Sequence, residues 1–227
     1  MANLQANLRS QYAVALHDPS RLLRSVNQLL FENTTESNYA TLFFADYDDA
    51  SRRLRYANYG HNPPLLARAG GGVERLGATT TVLGLFEGWQ CPMEEQTFHP
   101  EDTLAVYSDG VTEARSDEGE GFGDTRLIET VLKCRHLSSS ELLDWLLETV
   151  QKFSGSEQED DITLVVARRL TRIVRWQRPQ ETNTNRQSFL SIPTLRASQP
   201  KKDSDWRGES QSESKEATNS DSFWVLG

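Results

Sequence analysis

Two aspartates in this sequence stand where carboxylates can do chemistry. Asp109 follows the short apolar run Thr103-Leu104-Ala105-Val106-Tyr107, and Asp160 precedes a second run, Ile162-Thr163-Leu164-Val165-Val166-Ala167. Runs of this length and composition predict buried central strands. If the two strands are antiparallel neighbours, the end of one lies beside the start of the other, and both carboxylates emerge at one edge of the sheet. Carboxylate oxygens supplemented by water are what Mg²⁺ and Mn²⁺ prefer, and paired carboxylates at strand ends can bridge two such ions. Each piece also has a plainer reading, since Asp109-Gly110 is a common turn after a strand and Asp160-Asp161 a common solvated approach to one.

Other reactive residue types read as structure. Ala69-Gly70-Gly71-Gly72 is followed by neither a helix start nor Lys-Ser/Thr, so it is a hairpin tip and not a phosphate cradle. His61, beside Asn62-Pro63-Pro64, reads as a histidine packed in a turn in preference to a general acid. Cys91 and Cys134 lack a second Cys or His at ligand spacing, which argues for free buried thiols and against a disulfide framework or a zinc site.

The elements that must position the aspartates follow from periodicity. Leu4 to Leu16 and Leu22 to Leu30 carry apolar residues at helical spacing, with Asp18-Pro19 ending the first helix and Ser20 capping the second. Tyr39 to Tyr47 and Arg53 to Tyr59 predict a hairpin, as do Pro64 to Arg68 and Val73 to Leu76 around the glycine tip. Helices are predicted over about Asp124 to Leu132 and Ser139 to Phe153. This order implies an α+β fold with sheet at its centre, occupying residues 1–170. From Thr171 to Gly227 the pattern dissolves into Gln, Asn, Ser, Thr and mixed charge, and a disordered tail is expected, dispensable for the fold. Its terminal Phe223-Trp224-Val225-Leu226 reads either as a docking peptide or as a variable extension.

Four segments together resemble a known family. Val106-Tyr107-Ser108-Asp109-Gly110-Val111-Thr112-Glu113-Ala114, Gly121-Phe122-Gly123 with Arg126-Leu127, and Glu159-Asp160-Asp161-Ile162-Thr163-Leu164 are similar to the C-terminal motif series of the SpoIIE-like PPM (type 2C) protein phosphatases. Tyr59-Gly60-His61-Asn62-Pro63-Pro64-Leu65-Leu66 resembles that family's Gly-His-Asn/Pro-Pro-Pro strand entry, and the opening helix pair fits as well. The resemblance implies a β-sandwich flanked by helices, with two Mn²⁺ or Mg²⁺ ions at one end. It implies hydrolysis of phosphoserine or phosphothreonine by a water that those ions activate. Asp109 and Asp160 match the metal ligands and hence the catalytic positions, while Gly110, Asp161 and Thr163 match neighbouring positions that support them. The family's two earlier aspartate motifs have no counterpart here, because Asp46, Asp48 and Asp49 fall on a hairpin in the wrong order. The expectation is therefore a phosphatase domain lacking its first strands, with exposed sheet edges, and little activity in the chain by itself.

Charge agrees with this assignment. The first 170 residues hold 15 basic and 26 acidic side chains, a balance that disfavours nucleic acid and anionic lipid and suits cations or basic protein surfaces. No stretch has the length or apolarity of a membrane span or signal segment, so a soluble cytoplasmic protein is expected. Its implied partner is a phosphorylated signalling protein, of which an anti-sigma-factor antagonist is the family's usual kind. The competing function is association without catalysis, as an inactive fragment or pseudophosphatase.

Overall fold

A computed structural model describes residues 18–33, 39–88, 90, 92–154, 160–170, 190–191, 194–197 and 220–226. The first of the two expected opening helices lies outside them. The second is α1, Pro19–Asn33. Its cap is Asp18 and not Ser20: the Asp18 carboxylate accepts the Arg21 N–H at 3.0 Å, and the Asp18 carbonyl accepts those of Arg21 and Leu22. Proline breaks a helix only from within; at the first helical position its fixed φ and missing N–H cost nothing, so Asp18-Pro19 opens the helix.

The strands are β1 (Leu42–Asp48), β2 (Arg53–Tyr59), β3 (Leu65–Ala67), β4 (Val73–Arg75), β5 (Glu94–Thr97) and β6 (Thr103–Tyr107). After β6 come the short α2 (Asp109–Thr112), then α3 (Gly123–Lys133) and α4 (Ser139–Ser154). Four more strands follow: β7 (Ile162–Arg169), β8 (Leu190–Ser191), β9 (Thr194–Ala197) and β10 (Ser220–Leu226). They form two sheets, one ordered β10-β1-β2-β5 and the other β4-β3-β6-β7-β8, with β9 also paired to β7.

The sheets pack face to face between helices. Phe43, Ala45 and Tyr47 of β1 meet Leu104 and Val106 of β6 and Val165 and Ala167 of β7 in the central core. The alternate residues Leu42 and Phe44 turn outward onto Leu22, Leu23 and Val26 of α1. Ala105, Tyr107, Leu164 and Val166 turn the other way, onto Leu127, Val131, Leu142 and Leu146 of α3 and α4. Strands covered on both faces carry continuous apolar runs, which is why β6 and β7 show no polar alternation. The sandwich flanked by helices is the fold that the sequence motifs imply.

One end of the sandwich is clasped by Arg68. Its guanidinium donates to Glu74 at 2.7 and 2.8 Å, to the fully buried Asp102 at 2.9 Å and to the Thr97 carbonyl at 2.6 Å. Thr97 belongs to the first sheet, whereas Glu74 and the approach to β6 belong to the second, so one side chain ties both sheets together.

The expected structureless tail differs at β8, β9 and β10; the rest of 171–227 lies outside the described residues. β10 runs antiparallel along the whole of β1, from Leu42 opposite Leu226 to Asp48 opposite Ser220, and Val225 is buried in the central core. Of the expected exposed sheet edges, that of β1 is covered. β10 ends in the apolar run Phe223 to Leu226, and a strand added to an edge gains a backbone ladder from its neighbour, so the polar composition of the tail as a whole did not preclude it.

Candidate metal-binding and phosphoryl site

β6 and β7 are antiparallel neighbours in a register that sets Tyr107 opposite Leu164. The ladder continues one step beyond the strand, where the Ser108 N–H donates to the Thr163 carbonyl at 3.0 Å. From there Ser108 clamps the two acidic loops together: its hydroxyl donates to the Asp161 carbonyl at 3.0 Å and accepts the Thr163 N–H at 2.9 Å. Asp109 thus begins α2 at the same end of the sheet at which Asp160 and Asp161 lead into β7. This is the end opposite the Arg68 clasp.

Gly110 makes this approach possible. A β-carbon there would stand 2.6 Å from the Asp161 carbonyl oxygen and 3.4 Å from the Asp160 carbonyl carbon. Both Asp109 and Asp160 are exposed, and each carboxylate also accepts the N–H of the following residue, Gly110 at 3.0 Å and Asp161 at 2.7 Å. Thr163 is held through its backbone N–H and carbonyl, both bonded to Ser108.

Beside Asp109 lies a pocket of ≈ 280 Å³ lined by Tyr39, Thr41, Gly60, His61, Asn62, Ser108 and Asp109, with no Lys or Arg among these residues. His61 is buried and its Nε2 has no hydrogen-bond partner. Burial pushes the imidazole pKa down to about 4, with the nearby negative charge of Asp109 acting in the opposite direction. The turn carrying it is tightly set. The fully buried Asn58 accepts the His61 N–H at 2.9 Å and donates to the Leu76 carbonyl at 3.0 Å, while Gly60 adopts a φ of +66°.

The donor chemistry of the exposed carboxylate oxygens at one sheet end fits a hard divalent cation. Among the described residues no group of three or more His, Cys, Asp or Glu side chains is already assembled as a metal cluster. Sequence reasoning singled out both aspartates but missed the clamp formed by Ser108 and the closeness of His61 to Asp109. The hydroxyl between Tyr107 and Asp109 was the only available signal for the first. The second depends on a contact across 48 positions of chain that periodicity does not encode. Cys134 is a buried free thiol, as expected, and Cys91 lies outside the described residues. Among the described residues no helix is long and apolar enough to cross a membrane.

Comparison with known proteins places the chain and its fold. Protein IcfG of Synechocystis is 36% identical over 132 residues, covering 58% of this chain and 21% of that protein. Phosphoserine phosphatase RsbU of Bacillus subtilis is 28% identical over 154 residues, covering 66% of this chain and 45% of RsbU. The chain thus spans less than half the length of either relative. Its fold matches that of the SiaA-PP2C domain of Pseudomonas aeruginosa, with a TM-score of 0.62 and 20% identity over 72% of this chain and 65% of that one. The sequence profile of Stage II sporulation protein E (SpoIIE) matches residues 1–170, the segment that holds the motif loops and nearly all of the sandwich, and the chain belongs to that phosphatase family.

Proposed function

We propose that this chain is the catalytic-site portion of a metal-dependent phosphatase that removes phosphate from serine or threonine of a cytoplasmic signalling protein. The observation that carries the reading is the clamp of Ser108 on Asp161 and Thr163, which holds the two acidic loops together beside a pocket whose described lining has no Lys or Arg. A phosphoryl group is repelled by such a site unless a cation intervenes. Asp109 and Asp160 would hold the cation, Mn²⁺ or Mg²⁺, and Gly110, Asp161 and Thr163 fix where those carboxylates stand. Bound there, divalent ions supply charge neutralisation at the phosphoryl oxygens and make a nucleophilic water available near neutral pH. The chain's own residues position the ions and shape the pocket that admits the phosphorylated side chain. The acidic body favours a basic docking surface on the substrate, and a phosphorylated anti-sigma-factor antagonist is the substrate class the motif resemblance implies.

The test is titration calorimetry with Mn²⁺ on the 227-residue chain, paired with phosphate release from a phosphoserine peptide at saturating Mn²⁺. Weak cation binding, lost on Asp109→Asn and on Asp160→Asn together with whatever Mn²⁺-dependent release the chain shows, is expected. Cation binding indifferent to both substitutions would overturn the assignment.

A further inference from the structure

Asn27 of α1 is buried, and both ends of its amide hold the backbone of the loop that follows Leu83: Oδ1 accepts the Gly84 N–H at 2.9 Å and Nδ2 donates to the Phe86 carbonyl at 3.0 Å. The backbone is thereby fixed while the side chains it carries face solvent, Leu85 at 43% and Phe86 at 55% exposure. A loop kept only to close the fold gains nothing from displaying two large apolar groups. This segment also continues a wall of the pocket beside Asp109. Leu83 and Ala40 exchange two backbone hydrogen bonds, of 2.9 and 3.1 Å, and Ala40 stands between Tyr39 and Thr41, both of which line that pocket. Val82, one residue earlier, abuts Gly60, a third lining residue. Tyr39 is itself 63% exposed, so three of the six large apolar side chains that the described residues expose stand along this one margin. A single exposed apolar residue, such as Trp145 on α4, is ordinary, whereas several together beside a pocket mark an interaction surface.

We propose that Tyr39, Leu85 and Phe86 form an apolar ridge that docks the substrate protein, through a large aliphatic or aromatic side chain close in sequence to its phosphorylated residue. This deepens the phosphatase reading and rests on it. Continuity with the pocket selects the occupant, since a chain that lays its phosphorylated residue there and leaves over this wall meets the ridge next. The described pocket lining offers no Lys or Arg to attract a phosphate, and the chain carries net negative charge, so substrate affinity has to come from contacts remote from the phosphoryl group. Apolar burial supplies such affinity independently of charge. Leu85 lies two residues beyond Leu83, at most about 7 Å along the chain, which sets the complementary side chain about two to four positions from the phosphorylated one.

The decisive measurement is fluorescence anisotropy of labelled peptides on the 227-residue chain with Mn²⁺. Each peptide carries the phosphonate isostere of phosphoserine, which resists hydrolysis, in a Gly, Ser and Lys background with one Leu moved through the flanking positions. Leu at the favoured positions is expected to tighten binding about tenfold over the leucine-free peptide. That advantage disappears in the double variant Leu85→Ser with Phe86→Ser, whose loop backbone keeps its bonds to Asn27, and persists in Phe86→Leu and in Trp145→Ser. Binding that requires the phosphonate and Asp109 but shows no leucine preference, or a preference that survives the double substitution, overturns the ridge and leaves the phosphatase reading standing. Binding that is absent, or that ignores both the phosphonate and Asp109→Asn, overturns that reading and this inference with it.

Discussion

Gly110 and Asp161 meet so closely that no residue with a side chain fits between them: a β-carbon on the first would lie 2.6 Å from the carbonyl oxygen of the second. The obstacle is backbone, which cannot rotate aside as a flexible side chain can. Gly110→Ala is expected to force the loops apart and destabilise the domain by about 1–3 kcal/mol, the usual range for overpacking. Gly121→Ala is the control, because a β-carbon there meets only the Thr112 carbonyl at an ordinary 3.9 Å. Urea denaturation of both variants checks this; equal midpoints would show that the loops tolerate separation.

Ser108→Ala removes the hydroxyl that serves the Asp161 carbonyl and the Thr163 N–H at once. Leaving these half-buried partners unsatisfied costs about 1 kcal/mol, the low end for a lost hydrogen bond to a group out of water. Because both partners flank the candidate ligands, Mn²⁺ affinity should fall along with the thermal midpoint. A variant with lowered stability and native cation affinity would show that the clamp supports the fold alone.

The depressed pKa of His61 has a consequence for acid stability in the presence of a chelator. In the unfolded chain the imidazole takes up a proton near pH 6.5, whereas the folded chain resists until about 4. Between these values the unfolded state binds more protons, so stability is full above pH 6.5, declines as pH falls, and levels off near pH 4. The decline amounts to about 1.4 kcal/mol per pH unit at its steepest, or about 3 kcal/mol in all. Subtracting the stability profile of His61→Gln from that of the parent should isolate this limb; superimposable profiles would place the imidazole in a solvated setting.

Deleting residues 220–227 tests the place of β10. The deletion uncovers the backbone ladder of β1 over its full length and withdraws Val225 from the central core. A lowered thermal midpoint of about 4 °C or more is expected, together with concentration-dependent association through the bared edge. Light scattering and calorimetry at two protein concentrations read both. A deletion variant that melts like the parent and stays monomeric would return the segment to the status of an appendage.

The parts of the fold legible in the sequence were those where local pattern and tertiary role coincide. β6 and β7 are buried on both faces, so their apolar runs had one interpretation, and α4 shows its buried stripe at Leu142, Leu146 and Val150. β5 escaped notice because Glu94-Glu95-Gln96-Thr97 is an edge strand with mostly exposed side chains and no apolar signature. β10 was hidden for a related reason: its place depends on a vacant ladder some 180 positions away, and nothing in its own sequence announces that. Likewise Asp109 and Asp160 were visible as acidic residues at strand ends, but the clamp of Ser108 and the pairing of pocket walls by His61 and Asp109 arise only once the β6 and β7 register is set.

The Arg68 clasp gives the sandwich a mechanical polarity. Two sheets pinned by the guanidiniums of Arg68 and Arg169 at the end away from the site behave like covers joined at a spine, and thermal opening is expected to be larger at the opposite margin. Amides near Arg68 and Phe98 should exchange with deuterium more slowly than those near Tyr59 and Ser108, with the mouth of the pocket opening first. Opening at that margin widens the pocket that His61 and Asp109 line.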